Sequence, residues 1–262
     1  MKKIVKVITF VISTIAVVNF GAQAQKKADK TSSNPAETQQ TPVATKSSGE
    51  EDLNQKIYKM ALQNGDLVVA KQAIYEMMAI NPEKVDLKDS LALLYYNMGA
   101  NAECVLVTRN ILATQPEKMN MLELKAIAQQ NLGMFKESLA DYEKVYAKSK
   151  DQYHLYQIAA LQYELKRVIE CKNTVDQLIA DKEIDKKEIS INVARGQQQK
   201  VAFKAAAWNM KGVLAMDVKE FAAAKECFAN AVALSPDFVL AKGNLEFLNK
   251  KDSAPAKPKT KK

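Results

Sequence analysis

The sequence predicts an all-α protein: a helix-turn-helix solenoid of about five repeats closed by a capping helix, with one β-hairpin inserted before the last repeat. Three observations predict it. Breakers are scarce, with 8 Gly and 7 Pro in 262 residues, while the strong helix formers Ala, Lys, Leu and Gln are abundant. Several classes of position recur at intervals of 34 residues, the period of a helix-pair repeat. One short stretch late in the chain abandons the helical period for a period of two.

The recurrence is carried by small residues, larger residues and prolines in one register. Small residues stand at Ala70, Cys104, Ser138, Cys171 and Ala224, spaced 34, 34, 33 and 53. A larger residue follows each by four, at Ile74, Thr108, Tyr142, Val175 and Phe228. A second small slot lies in the preceding helix, at Ala92, Ala126, Ala159 and Gly212. Pro82, Pro116 and Pro236 each fall twelve residues after the first small slot. Antiparallel helices approach closely only where contact residues are small, and the larger residue one turn on fills the space above the crossing. A proline just past the second helix stops it. One such pair cannot bury its own apolar face, whereas a stack can.

The last repeat gives the pattern most fully: Trp208, Gly212, Ala224, Phe228, Ala231 and Pro236. In these residues the chain resembles the tetratricopeptide-repeat family, with Lys211 and Ala215 standing where that pattern has Leu and Tyr. Looser repeats start near Glu51, Val85, Met119 and Gln152, so the resemblance covers residues 51–250. It implies a right-handed solenoid of about eleven helices, with Phe238 to Leu248 as the closing helix. It also implies a concave face lined by the first helix of each repeat. The positions here that match that face are Lys59, Gln63, Tyr96, Asn97, Gln130, Asn131, Tyr153, Tyr156, Tyr163, Glu164, Asn209 and Asp217. Aromatic rings offer contact area at low entropic cost, and amides can bond an extended backbone. Some members of the family clamp a chain-terminal carboxylate with Lys, Asn and Arg. The matching slots here hold Gln55, Lys59, Ser90, Asn120 and Leu124, so that specificity is not carried over.

The 53-residue step marks an insertion over residues 182–203. Ile189, Ile191 and Val193 alternate with Ser190 and Asn192; Val201 and Phe203 alternate with Ala202 and Lys204; Arg195-Gly196-Gln197 offers a turn between them. Alternation of β-branched residues around a glycine predicts a hairpin. Two readings stand side by side: padding along one edge of the stack, or an element that contacts a partner.

The ends read differently. Lys2, Lys3 and Lys6, an apolar run from Ile4 to Phe20 and the close Ala22-Gln23-Ala24 describe a signal segment over residues 1–24, cleaved after Ala24. The alternative is an uncleaved membrane anchor. Export to the periplasm is the expected destination. Residues 25–50 are polar and nearly free of large apolar groups, and are read as a disordered linker. Residues 251–262 form a flexible basic tail. Its Lys257, Lys259, Lys261 and Lys262 either solubilise the end or contact an anionic cell wall or membrane surface. Of the net charge of +8, residues 1–24 carry +3, residues 25–50 carry +1 and the tail carries +4. The folded part is therefore neutral, which excludes the basic stripe of a nucleic-acid binder.

Nothing in the sequence converges on chemistry. His154 is the one histidine, too few for a several-histidine zinc site, and is expected at the surface of a helix start. Cys104 and Cys171 occupy the small slot and Cys227 lies one turn beyond it, so all three are expected as buried, reduced thiols. There is no Gly-rich phosphate loop and no nucleophile elbow. No catalytic residue, metal or cofactor is expected. The partners expected are other proteins or peptides, bound by an envelope scaffold; the competing role is a structural spacer anchored through the basic tail.

Overall fold

The computed structural model describes residues 44–193 and 197–252. The signal segment and its cleavage point, residues 25–43 of the linker, the Arg195-Gly196 turn and residues 253–262 of the tail lie outside them. The described chain runs α1 (Ala44–Gln63), α2 (Leu67–Ile80), α3 (Asp86–Asn97), α4 (Asn101–Thr114), α5 (Met119–Asn131), α6 (Phe135–Ser149), α7 (Gln152–Glu164), α8 (Val168–Ala180), β1 (Glu188–Asn192), β2 (Gln198–Ala202), α9 (Phe203–Asp217), α10 (Phe221–Leu234) and α11 (Val239–Asp252). A single 3-10 turn at Lys182–Ile184 leads into β1. Successive helices pack as five pairs, α1 with α2 through α9 with α10, and α11 closes against α10. The solenoid class and the inserted hairpin are as the sequence predicts.

One boundary moves. The linker was expected to reach Glu50, but α1 begins at Ala44. Thr45, Ser47, Ser48 and Gly49 are weak helix formers, and the apolar pattern that marks the first repeat starts only later, so the helix start has no signal in the sequence. At the other end, Lys251 and Asp252 belong to α11 rather than to the tail.

The chain divides into two compact units, with the break after Thr114. Within residues 44–114, Ala61, Ala70, Ile74, Met77, Leu87, Leu91 and Leu94 form the core. Within residues 115–252, a smaller cluster centres on Ala126, Leu139, Tyr142, Ile158 and Leu161. A larger one joins α7 to α11 through Tyr156, Val175, Leu178, Met210 and Phe228.

The helix crossings show why the slots hold the residues they do. Ala70, Ala92, Cys104, Ala126, Ser138, Ala159, Cys171 and Ala224 have no solvent exposure. At two of the slots that are not Ala the side chain bonds across the crossing: Ser138 Oγ donates to the Ala126 carbonyl at 2.8 Å and Cys171 Sγ to the Ala159 carbonyl at 3.1 Å. In the last repeat the crossing is tightest. A Cβ built on Gly212 would lie 2.5 Å from the Phe228 ring, so only glycine fits. Pro82, Pro116 and Pro236 sit two residues past the ends of α2, α4 and α10.

The turn inside each pair adds a further recurring slot. Gly65, Gly99 and Gly133 all take a left-handed φ of 71–74°, and the equivalent positions in the next two repeats are Lys166 (φ 60°) and Lys219 (φ 66°). Glycine takes this conformation freely, whereas a residue with a Cβ is disfavoured there.

Lys211, the departure from the family pattern, has its own structural use. Its ammonium pairs with Asp176 of α8 at 2.6 Å and stands 5.3 Å from the centre of the Trp208 ring. It ties the last pair to the one before it.

The insertion is a true antiparallel hairpin, with Glu188 opposite Ala202 and Asn192 opposite Gln198. Ile189, Ile191 and Val201 face inward and are buried, while Glu188, Ser190 and Lys200 face out. Its apolar face belongs to the large cluster, and Phe203, which opens α9, meets Tyr156 edge-on at 5.7 Å between ring centres. This face of the insertion is part of the core rather than padding.

Candidate functional site

In residues 44–114, Lys59 and Gln63 on α1 and Asn97 on α3 are exposed, and Tyr96 is half-buried. Burial raises the ordinary pKa of the Tyr96 hydroxyl. In residues 115–252, Asn131 and Asp217 are exposed, and Gln130, Tyr153 and Glu164 are half-buried. Burial likewise raises the Glu164 carboxyl, opposed by Lys166.

Three of the predicted positions do not present their side chains to solvent. Tyr156 and Tyr163 are 2% and 6% exposed, and Asn209 is 3% exposed. Tyr163 donates its hydroxyl to Asp217 Oδ2 at 2.7 Å, joining α7 to α9. Burial and that bond raise its pKa, with Lys166 standing 5.0 Å from the ring centre. Asn209 Oδ1 accepts from Asn244 of α11 at 3.2 Å. These side chains fasten neighbouring first helices to one another. α7 is buried at every position from His154 to Tyr163: Tyr156 and Tyr163 lie in the apolar cluster that the hairpin joins, with Tyr156 edge-on to Phe203, while Ile158 and Leu161 pack with α5 and α6. Helical spacing alone could not reveal that.

His154 also departs from expectation. It is 8% exposed rather than at the surface, with Nδ1 2.8 Å from Ser149 Oγ and Nε2 3.2 Å from Glu123 Oε1. The short α6–α7 turn folds the start of α7 against α5, and the ring bridges the two.

What remains accessible follows a register of its own. Gln63, Asn97, Asn131, Glu164 and Asp217 are spaced 34, 34, 33 and 53, so one slot near the C-terminal end of each first helix holds an amide or a carboxylate. All five are exposed or half-buried. Among the described residues, Gln63, Asn97 and Gln130 have no protein partner for their amides. An amide both donates and accepts, which suits a peptide backbone.

No group of His, Cys, Asp or Glu among the described residues is arranged to hold a metal. All three cysteines are free and buried. Burial pushes the Cys104 and Cys171 thiols up from 9.0 to about 12, and raises Cys227 against the opposing effect of Lys211. Because folding raises these values, the stability they contribute is complete below about pH 9 and is lost as pH climbs toward 12. The native protein is expected to resist a thiol reagent at pH 8 and to react only on unfolding. Rapid labelling of Cys104 or Cys171 in the folded chain, read by mass spectrometry, would contradict the packing described here.

Solved structures share this architecture. A tetratricopeptide repeat protein from Parabacteroides merdae matches with a TM-score of 0.61, covering 78% of this chain and 75% of its own at 17% identity. This chain has the tetratricopeptide-repeat fold. YrrB, described as a tetratricopeptide-repeat protein with an unusual peptide-binding site, matches at 0.58, with 78% of this chain and 98% of that one covered at 13% identity. MamA from Desulfovibrio magneticus RS-1 also matches at 0.58, covering 72% and 97% at 13% identity. No family model and no curated protein matches the sequence. In this tetratricopeptide-repeat fold, the first helices α1, α3, α5, α7 and α9 carry the recurring polar slot.

Proposed function

We propose that this protein is an exported, non-enzymatic scaffold of the cell envelope that binds other proteins through the first helices of its repeats. The observation that carries this reading is the polar slot at Gln63, Asn97, Asn131, Glu164 and Asp217. It recurs with the fold's own period and is exposed or half-buried at all five positions, and only Asp217 is known to fasten one helix to another, through the Tyr163 hydroxyl. Support comes from YrrB, a protein of similar fold whose described property is peptide binding. Export rests on the sequence of residues 1–24, where a basic start, an apolar run and Ala22-Gln23-Ala24 fit signal peptidase.

The test is crosslinking in the native envelope, followed by identification of the captured proteins. The reading expects one or a few proteins, captured equally well without residues 253–262, and captured several-fold less by a variant with Asn97, Asn131 and Glu164 all changed to Ala. Recovery of cell-wall material alone, lost with the tail, would replace it with the anchored-spacer role.

A further inference from the structure

The hairpin has one covered edge and one open edge. Phe203 N–H donates to the Lys187 carbonyl at 2.9 Å and Val193 N–H to the Gln197 carbonyl at 2.8 Å. With the observed register, residues 187, 189, 191 and 193 therefore turn their backbone groups toward β2, and residues 188, 190 and 192 turn theirs outward. On β2 the outward positions are 198, 200 and 202. The turn between α10 and α11 covers that side: Ala202 N–H donates to Ser235 Oγ at 2.9 Å, and the Gln199 amide bonds the Asp237 carbonyl and Val239 N–H. On β1 the outward N–H and C=O of Glu188 and Ser190 have no protein partner among the described residues. Both side chains are exposed. Unpaired ladder groups of this kind are a template for another strand.

From this edge we infer that two copies of the chain pair through β1, antiparallel about a two-fold axis at Ser190, to form one four-stranded sheet. The edge is self-complementary in that register. Ser190 stands opposite Ser190 of the second copy and exchanges two bonds with it. Glu188 falls opposite Asn192 of the second copy, so the two carboxylates do not meet. Lys200 stays on the far strand, paired with its own Glu188 at 2.7 Å. On the inner face, Ile189 lies beside Ile191 of the second copy, continuing the apolar layer. A shift that brought Glu188 opposite Glu188 would juxtapose like charges, which is destabilising. Five-residue strands bury less area than a standard interface, so the dimer is weak and dissociates on dilution. The inference is independent of the first-helix binding face.

Sedimentation velocity of the full chain over a wide concentration range tests it. A monomer–dimer equilibrium is expected. Ser190→Pro should abolish the dimer without disturbing the hairpin, because the lost N–H points outward and proline is tolerated on an edge strand. Ser190→Lys, which places two ammonium groups face to face, should do the same and guards against misfolding of the proline variant. Directly opposed residues in this register have Cα atoms about 5.5 Å apart, within disulfide reach. Copper–phenanthroline oxidation of Ser190→Cys should therefore give a covalent dimer, and Lys200→Cys should not. A chain that stays monomeric at high concentration, a dimer untouched by Ser190→Lys, or equal crosslinking at positions 190 and 200 would overturn the inference.

Discussion

Replacing Lys125 with Met is expected to destabilise residues 115–252 by up to about 3–5 kcal/mol, the usual cost of leaving one partner of a buried ion pair. Asp141 lies on α6 with its side chain 6% exposed, and Lys125 of α5 reaches it at 3.0 Å with a side chain 17% exposed. Lys144, one turn away and 68% exposed, approaches to 3.6 Å, so it offsets part of the loss but not the desolvation. The double variant Lys125→Met with Asp141→Leu should recover most of the stability, because the cost belongs to the orphaned carboxylate and not to the missing attraction. Urea unfolding of the wild type and the two variants decides it. A single variant within about 0.5 kcal/mol of wild type, the range of ordinary surface changes, would mean that Asp141 is better solvated than its burial implies.

The second large effect is at the last crossing. Gly212→Ala puts a methyl group 2.5 Å from the ring of Phe228, which has no solvent exposure and is held on all sides. Overpacking of this kind costs about 1–3 kcal/mol. Gly212 is helical, and in a helix Ala is otherwise preferred to Gly by about 1 kcal/mol, so propensity alone predicts the opposite sign. The contact distance decides between them, and the steric term wins. In the background of Phe228→Leu, a smaller and more adaptable side chain, Gly212→Ala should become neutral or stabilising. A thermal-unfolding double-mutant cycle reads this coupling directly. Equal effects in both backgrounds would show that the ring is not the obstacle.

Most of the fold is legible in the sequence because it depends on residue size at fixed spacing. Ala70, Cys104, Ser138, Cys171 and Ala224 are small for one reason, the helix crossing, and nothing else competes for those positions. The cysteines could be placed in the core by the same reasoning. The hairpin is legible from its period of two, but its consequence for α7 is not. That depends on where an insertion folds back in space, and Tyr156, which meets Phe203, carries no local sign of it. A pattern that assigns first-helix positions to an open face therefore over-counts wherever an insertion adds apolar side chains. The start of α1 is hidden because Ala44 to Glu50, with Thr45, Ser47, Ser48 and Gly49, has neither strong helix propensity nor an apolar stripe. The polar slot from Gln63 to Asp217 was available in the spacings, yet it stands out only after the buried neighbours are set aside.

The account turns on whether the first helices, and not the second, meet another protein. A photo-crosslinking amino acid placed at Asn131 or Glu164, at the ends of α5 and α7, should capture the same partner in the native envelope. The same group at Lys136 or Lys172, exposed on α6 and α8, should capture little. Equal capture at all four positions, or capture confined to Lys136 and Lys172, would contradict the account.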